Sequence, residues 1–150
     1  MLAMLPLDAE APGSTPPPQM IELAKPRALT PGEREILEFL TASPLSCDPL
    51  REQLSSASVI TQCDCGCPSV GLTTDGPIVP DALVVEREPV GRDDYFAIKA
   101  VGRNREWRMV DVILHVGSGE VSELEIWAAV YGGSPETDLP PVATLRYDDS

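Results

Sequence analysis

The chain has 150 residues, of which 43% are hydrophobic and only 5% aromatic, so we expect a single domain with a mainly aliphatic core. Its formal net charge of −13, from 24 acidic and 11 basic residues, opposes binding to nucleic acid or anionic lipid, because phosphate recognition needs clusters of Lys and Arg. No apolar run approaches the roughly 20 residues that cross a bilayer, and the first residues lack the basic flank of a signal peptide.

These features favour a cytoplasmic bacterial protein. Without an export signal the thiols are expected to stay reduced. Nine of the 11 basic residues are Arg, which is typical of a GC-rich bacterial genome. The acidic surface is compatible with basic protein partners, or it serves only to keep the protein soluble. The sequence does not indicate an oligomeric state.

The first 28 residues are rich in proline. Proline removes a backbone donor and interrupts helices and strands, so we expect residues 1–28 to form a disordered tail. Met20 begins a cleaner sequence and is an alternative translation start, in which case the first 19 residues are a gene-calling artefact. Residues 29–147 are expected to form a single α+β domain, and residues 148–150 an acidic C-terminal end.

Two helices are predicted after the tail. The first begins with Thr30 as N-cap and Pro31 at the first helical position, and Glu33 completes a capping box. The second begins with Asp48 as N-cap. Each helix has one apolar stripe, formed by Ile36, Leu37 and Leu40 in the first and by Leu50, Leu54 and Ala57 in the second.

Beyond residue 57 the apolar pattern changes to a period of two, which predicts strands. The predicted strands are Ser58 to Cys63, Ser69 to Thr74, a short edge strand from Ala82 to Glu86, a meander of Tyr95–Val101, Trp107–Val116 and Glu120–Val130, and an edge strand within Val142 to Tyr147. The fold class is therefore α+β, with two N-terminal helices packed on a mainly antiparallel sheet of four to six strands.

The two loops of the meander predict its register. A three-residue loop, Gly117-Ser118-Gly119, places Val112 opposite Leu124, and a five-residue loop from Gly102 to Glu106 places Phe96 opposite Val112. Both loops put the apolar residues on one face, which the helices can cover. The predicted core is Leu37, Leu40, Leu54, Ile98, Val110, Val112, Leu124 and Ile126.

The opposite face of the meander carries Lys99, His115 and a set of acidic and Trp residues, with Asp111 predicted across from Glu125. This face is either simply solvated or a binding surface, since exposed Trp is enriched where partners bind. We expect non-enzymatic protein binding or regulation here. The candidate partner-binding residues are Trp107, Asp111, Glu123, Glu125 and Trp127.

Three of the four cysteines lie in the turn Cys63-Asp64-Cys65-Gly66-Cys67-Pro68. A three-residue turn with Gly66 in the left-handed region would place Cys63 opposite Cys67. Cys63, Cys65 and Cys67 could then bind zinc, with Cys47 or His115 as fourth ligand, although the chain lacks the paired CxxC spacing typical of zinc sites. The alternatives are a redox-active Cys63–Cys67 disulfide and small buried side chains that only fill space.

Catalytic motifs are not evident. The chain has no G-x-S-x-G sequence, and His115 is its only histidine and hence the only candidate base for a Cys–His pair. We therefore do not expect an enzyme and name no catalytic residue.

Three segments resemble an uncharacterised actinobacterial family with a Cys-x-Cys-Gly-Cys-Pro turn, a domain of unknown function. They are Arg27-Ala28-Leu29-Thr30-Pro31-Gly32-Glu33, Cys63-Asp64-Cys65-Gly66-Cys67-Pro68-Ser69-Val70 and Ser122-Glu123-Leu124-Glu125-Ile126-Trp127. The likeness spans most of residues 27–145. The resemblance implies a cytoplasmic bacterial protein with an α+β fold, and it implies no activity, cofactor or catalytic residue.

Overall fold

The computed structural model describes residues 19–87, 92, 94–128 and 138–148. These residues form an α+β fold with seven strands and three helices. The strands are β1 (Met20–Ala28), β2 (Ser58–Cys63), β3 (Val70–Thr73), β4 (Tyr95–Arg103), β5 (Met109–Gly117), β6 (Glu120–Ala128) and β7 (Arg146–Tyr147). The helices are α1 (Pro31–Thr41), α2 (Asp48–Gln53) and α3 (Asp81–Arg87). All strand pairs are antiparallel, and the order across the sheet is β1-β2-β3-β6-β5-β4-β7.

The first strand corrects the predicted tail. Met20–Ala28 pairs with β2, so the described part of the chain begins with a strand rather than with the two helices, and the sheet exceeds the four to six strands expected. Pro26 is tolerated because β1 is an edge strand whose pairing shifts between Glu22 and Arg27. Residues 1–18, also assigned to the tail, lie outside the described residues.

The predicted capping box of α1 is confirmed. The Glu33 amide donates to Thr30 Oγ1, and the Thr30 amide donates to Glu33 Oε1. Arg27 at the end of β1 donates to both carboxylate oxygens of Glu33 at 2.9 Å, which joins the edge strand to the helix. Burial opposes ionisation of Glu33, but the hydrogen bonds from Arg27 and Thr30 outweigh it and lower the pKa of this carboxyl. The N-cap of α2 is Cys47, one residue before the predicted Asp48.

The predicted edge strand from Ala82 to Glu86 is wrong, because this segment is α3. The amides of Leu83 and Val84 both donate to the Pro80 carbonyl, so the Pro-Asp start signal outweighs the strand preference of the adjacent valines. Only Val84 of the helix is fully buried. Arg87, the last residue of α3, donates to the Leu45 and Ser46 carbonyls and so holds the end of the helix against the segment before α2.

The meander is present with the predicted face but a different register. The second connection is a two-residue turn in which Ser118 and Gly119 both have positive φ, and the β5–β6 pairing also shifts by a bulge between the pairs made by His115 and Val116. Val112 therefore lies opposite Ile126 rather than Leu124. The first connection has five residues as predicted but begins at residue 104, so Phe96 lies opposite Val116.

The core lies between the helices and one face of the sheet. α1 packs on β4 and α2 on β6, and all eight residues predicted for the core are buried there. The even register shifts preserve this result, because moving a strand by two or four residues keeps each side chain on its face. At the far edge of the sheet, Tyr147 of β7 stacks on Phe39 of α1, and its hydroxyl donates to the Phe39 carbonyl. β7 has only two residues, so the edge strand predicted within Val142 to Tyr147 is shorter than that segment.

Leu124→Ala tests the buried face. Leu124 is fully buried beside Leu114 and Val70, so we expect the substitution to lower the free energy of unfolding by about 2–5 kcal/mol in urea denaturation. The matched control is Leu45→Ala, which removes the same atoms from an exposed site and should change stability by no more than about 0.5 kcal/mol. Equal effects of the two substitutions would contradict the assignment of the buried face.

Candidate functional site

The cysteine turn joins β2 to β3, and its pairing differs from the prediction. Gln62 lies opposite Val70 and Thr61 opposite Gly71, and the Cys63 amide donates to the Ser69 carbonyl. Cys63 is therefore not opposite Cys67, because the connection between the two strands is a six-residue loop over residues 64–69. The prediction that Gly66 is left-handed is confirmed by its φ of +90°.

The loop is also held from the first strand. The Asp64 amide donates to the Gln19 carbonyl at 2.9 Å, and the Gln19 amide donates to Asp64 Oδ1 at 2.8 Å. Met20 then pairs with Cys63 as β1 begins. The chain at the beginning of β1, in the segment predicted to be a tail, is therefore hydrogen-bonded to one side of the cysteine loop.

The loop brings its three sulfur atoms together. The Sγ atoms of Cys63, Cys65 and Cys67 all lie within 4.8 Å of one another, and Cys63 Sγ is 3.1 Å from Cys65 Sγ. The Cys67 amide points at Cys65 Sγ at 3.4 Å. All three side chains are half-buried, and none forms a disulfide. Two sulfur ligands of a tetrahedral zinc ion lie about 3.8 Å apart for bonds of about 2.3 Å, so small side-chain adjustments would suit a common ion.

Two of the three thiols, Cys63 and Cys67, have shifted pKa values. Burial and the neighbouring thiols raise the pKa of Cys63 to about 12. Burial also opposes ionisation of Cys67, but hydrogen bonds from Ser69 and from the other two thiols outweigh it and lower the pKa of Cys67. Of these two thiols, Cys67 therefore loses its proton at the lower pH.

The structure does not bring the proposed fourth ligands to this cluster. Cys47 is buried at the start of α2 and belongs to the hydrophobic core. His115 lies in a second group of metal-ligating side chains, on the sheet face opposite the helices. Within the described residues, only the three turn cysteines are close enough together to share one soft ion.

The second group joins neighbouring strands on the open sheet face, by which we mean the face opposite the helices. His115 of β5 lies directly opposite Glu123 of β6, and its Nε2 is 2.8 Å from Glu125 Oε1. Its Nδ1 faces the hydroxyl of Tyr95 on β4. Burial, reinforced by the charge of Glu125, raises the pKa of Glu123 although His115 opposes the shift.

The remaining candidate partner residues lie at one end of the same face. Asp111 is opposite Trp127 rather than opposite Glu125 as predicted. Trp127 and Met109 are each 55% exposed, and Trp107 is 69% exposed in the β4–β5 loop, where it lies near the Arg103 guanidinium. Burial and the charges of Asp148 and Glu125 raise the pKa of Asp111 despite the opposing charge of Lys99. We call Trp107, Met109 and Trp127 the apolar patch.

Sequence reasoning missed Tyr95, Ser69 and Met109. Tyr95 and Met109 carried a usable signal, because they have the same strand parity as Lys99 and Asp111 and so belong to the open face. The contact between Tyr95 and His115 follows only from the correct β4–β5 register. Ser69 carried no comparable signal, since the hydrogen bonds of its hydroxyl are made with the backbone of β6, a strand far from it in sequence.

Comparison with known proteins adds no relative: no family model, curated protein or solved structure matches the chain. Among the described residues, no helix is long and apolar enough to span a membrane.

The thiol acidities predict an order of alkylation. In reduced, metal-free protein at neutral pH we expect iodoacetamide to modify Cys67 about tenfold or more faster than Cys63, because the thiolate is the nucleophile. Buried Cys47 should react slowest and serves as the internal control for unfolding. Peptide mass spectrometry over a time course measures the order, and modification of Cys63 ahead of Cys67 would contradict it.

Proposed function

We propose that the protein binds a soft metal ion of the zinc class through Cys63, Cys65 and Cys67. The observation that carries the proposal is the mutual approach of the three sulfur atoms within 4.8 Å. Thiolates are the ligands that such ions prefer. Ligand binding by Cys63 requires loss of its proton, and a bound cation favours that loss, which compensates for its high pKa in the metal-free protein.

The proposed site has three protein ligands. Structural zinc sites usually have four, whereas sites with three keep a position for water or another molecule. The partial exposure of the three cysteine residues and the position of the loop at the end of β2 support an accessible fourth position. We therefore propose an exchangeable or partner-completed ion rather than a fully enclosed structural one.

Metal analysis of purified protein tests this proposal. We expect protein prepared without added zinc to hold about one zinc ion per chain by elemental mass spectrometry, and any one of Cys63→Ala, Cys65→Ala and Cys67→Ala to lose most of it. Cys47→Ala is the matched control, since it removes a thiol that the structure places in the core, and it should keep the ion.

Stability provides a second measurement of the same proposal. Free zinc at a hundred times its dissociation constant should add about 2.7 kcal/mol to the free energy of unfolding of the wild type. The three turn variants should show no such gain. Metal-free wild type that gains nothing from zinc would refute the proposal, and a disulfide among the three cysteines under the same conditions would support the redox alternative instead.

A second proposed function is the binding of a basic protein segment at the open sheet face. The specific observation in favour is that the apolar patch lies beside Asp111, with Glu123 and Glu125 further along the same face. Large exposed side chains can anchor a partner, and the carboxylates complement Lys or Arg around the anchor.

A cytoplasmic location and membership of the actinobacterial family remain predictions from the sequence alone.

Peptide titration followed by Trp fluorescence tests the second proposal. We expect short peptides of alternating Arg and Leu to bind, matched Glu and Leu peptides not to bind, and the affinity to fall as salt screens the charges. Trp127→Ala should weaken binding about tenfold or more. Ile78→Ala removes another exposed apolar side chain outside the patch and should have no effect. Equal binding of both peptide types would contradict the charge argument.

A further inference from the structure

The open sheet face holds a second set of metal-ligating side chains that has no part in the cysteine proposal. His115 and Glu123 are cross-strand neighbours, and Glu125 is two residues further along β6 on the same face. One ring nitrogen of His115 and one carboxylate oxygen from each glutamate lie within 4.8 Å of one another. Two adjacent strands fix the backbone of all three residues, so the arrangement does not depend on a loop.

The histidine ring is held in a fixed orientation. Nδ1 of His115 faces the Tyr95 hydroxyl from the neighbouring strand, and Nε2 faces Glu125 Oε1 at 2.8 Å. In metal sites, a ligating histidine commonly uses its second nitrogen for a hydrogen bond that fixes the ring and its tautomer. Tyr95 is in position to accept that bond from Nδ1, which leaves Nε2 directed at the two carboxylates.

The charge of the cluster also favours a cation. Glu123 and Glu125 are half-buried on the same strand face, and their mutual repulsion is only partly relieved by one imidazole. The side chains of His115 and Glu125 are 24% and 36% exposed, so an ion from solvent can reach them and can keep water in its remaining coordination positions.

We propose that Nε2 of His115 and the carboxylates of Glu123 and Glu125 bind a divalent first-row transition-metal ion, with Tyr95 as the residue that positions His115. One imidazole and two carboxylates suit an ion of intermediate hardness, such as Mn²⁺, Fe²⁺, Co²⁺ or Zn²⁺. The simpler alternative is that His115 and Glu125 form only an ion pair. The two cases differ at Glu123, which is a ligand in the first and a bystander in the second.

Manganese is the probe that separates this site from the cysteine loop, because Mn²⁺ prefers oxygen and imidazole ligands to thiolates. We expect titration of wild-type protein, followed by the loss of the free Mn²⁺ signal in electron paramagnetic resonance, to reveal one saturable site. Cys63→Ser should bind Mn²⁺ as the wild type does. Failure of this inference is therefore distinguishable from failure of the cysteine proposal.

Substitutions then identify the ligands. His115→Ala and Glu123→Gln should each weaken Mn²⁺ binding by at least about tenfold, and Tyr95→Phe should weaken it by a similar factor while leaving the stoichiometry at one. Asp111→Asn is the matched control, because it removes a carboxylate from the same face of β5 outside the cluster, and it should bind normally. Circular dichroism and urea unfolding of each variant verify that the sheet is intact.

Three results would overturn the inference. The first is wild-type protein that shows no saturable Mn²⁺ site. The second is Glu123→Gln that binds as well as the wild type, which would reduce the cluster to an ion pair. The third is an equal loss in Asp111→Asn, which would indicate diffuse attraction by the acidic face rather than a defined set of ligands.

Discussion

Burial of alternate residues of β4, β5 and β6 against the helices is the constraint on which the rest of the structure depends. Side chains of a strand point to opposite faces in turn, so the burial of Leu114 and Leu124 commits His115 and Glu123 to the open face. A slip of one residue would exchange the two sets, placing carboxylates in the core and leucines in water. The hydrophobic core therefore sets the positions of the polar cluster as well as the stability of the sheet.

This constraint explains which parts of the meander could be predicted from the sequence. The apolar pattern identifies the buried face because it repeats every second residue, and all eight predicted core residues are buried. The same pattern cannot distinguish registers that differ by two or four residues. The Gly117-Ser118-Gly119 segment permits both a three-residue loop and the observed two-residue turn, and β4 continues to Arg103 beyond its predicted end. The contacts among the polar residues of the open sheet face, above all the contact between Tyr95 and His115, depend on the register and so could not be predicted.

The cysteine turn and β1 illustrate the opposite case, in which local sequence misleads and tertiary contacts decide. The three sulfur atoms meet as the close spacing suggested, although Cys63 is not opposite Cys67, because a six-residue loop holds them together as well as a three-residue turn would. Proline content argued for a tail, yet Arg27 reaches Glu33 at the start of α1, and Gln19 reaches Asp64, which is 45 residues away and outside any local window. Cys47 is close to no other cysteine in sequence, and its place in the core follows from the packing of α2.

The four-residue strand β3 separates the cysteine loop from the carboxylates of β6, and its second residue has no side chain. Gly71 lies opposite Thr61 on one side and opposite Glu123 on the other. A Cβ atom at this position would lie 2.0 Å from Thr61 Oγ1, a separation that real atoms do not tolerate. Even the substitution Gly71→Ala would therefore require Thr61 to move or β2 and β3 to separate. The pairing of β2 with β3 is thus sensitive to substitution at a residue that has no side chain to bury, and it is this pairing that the thiol loop connects.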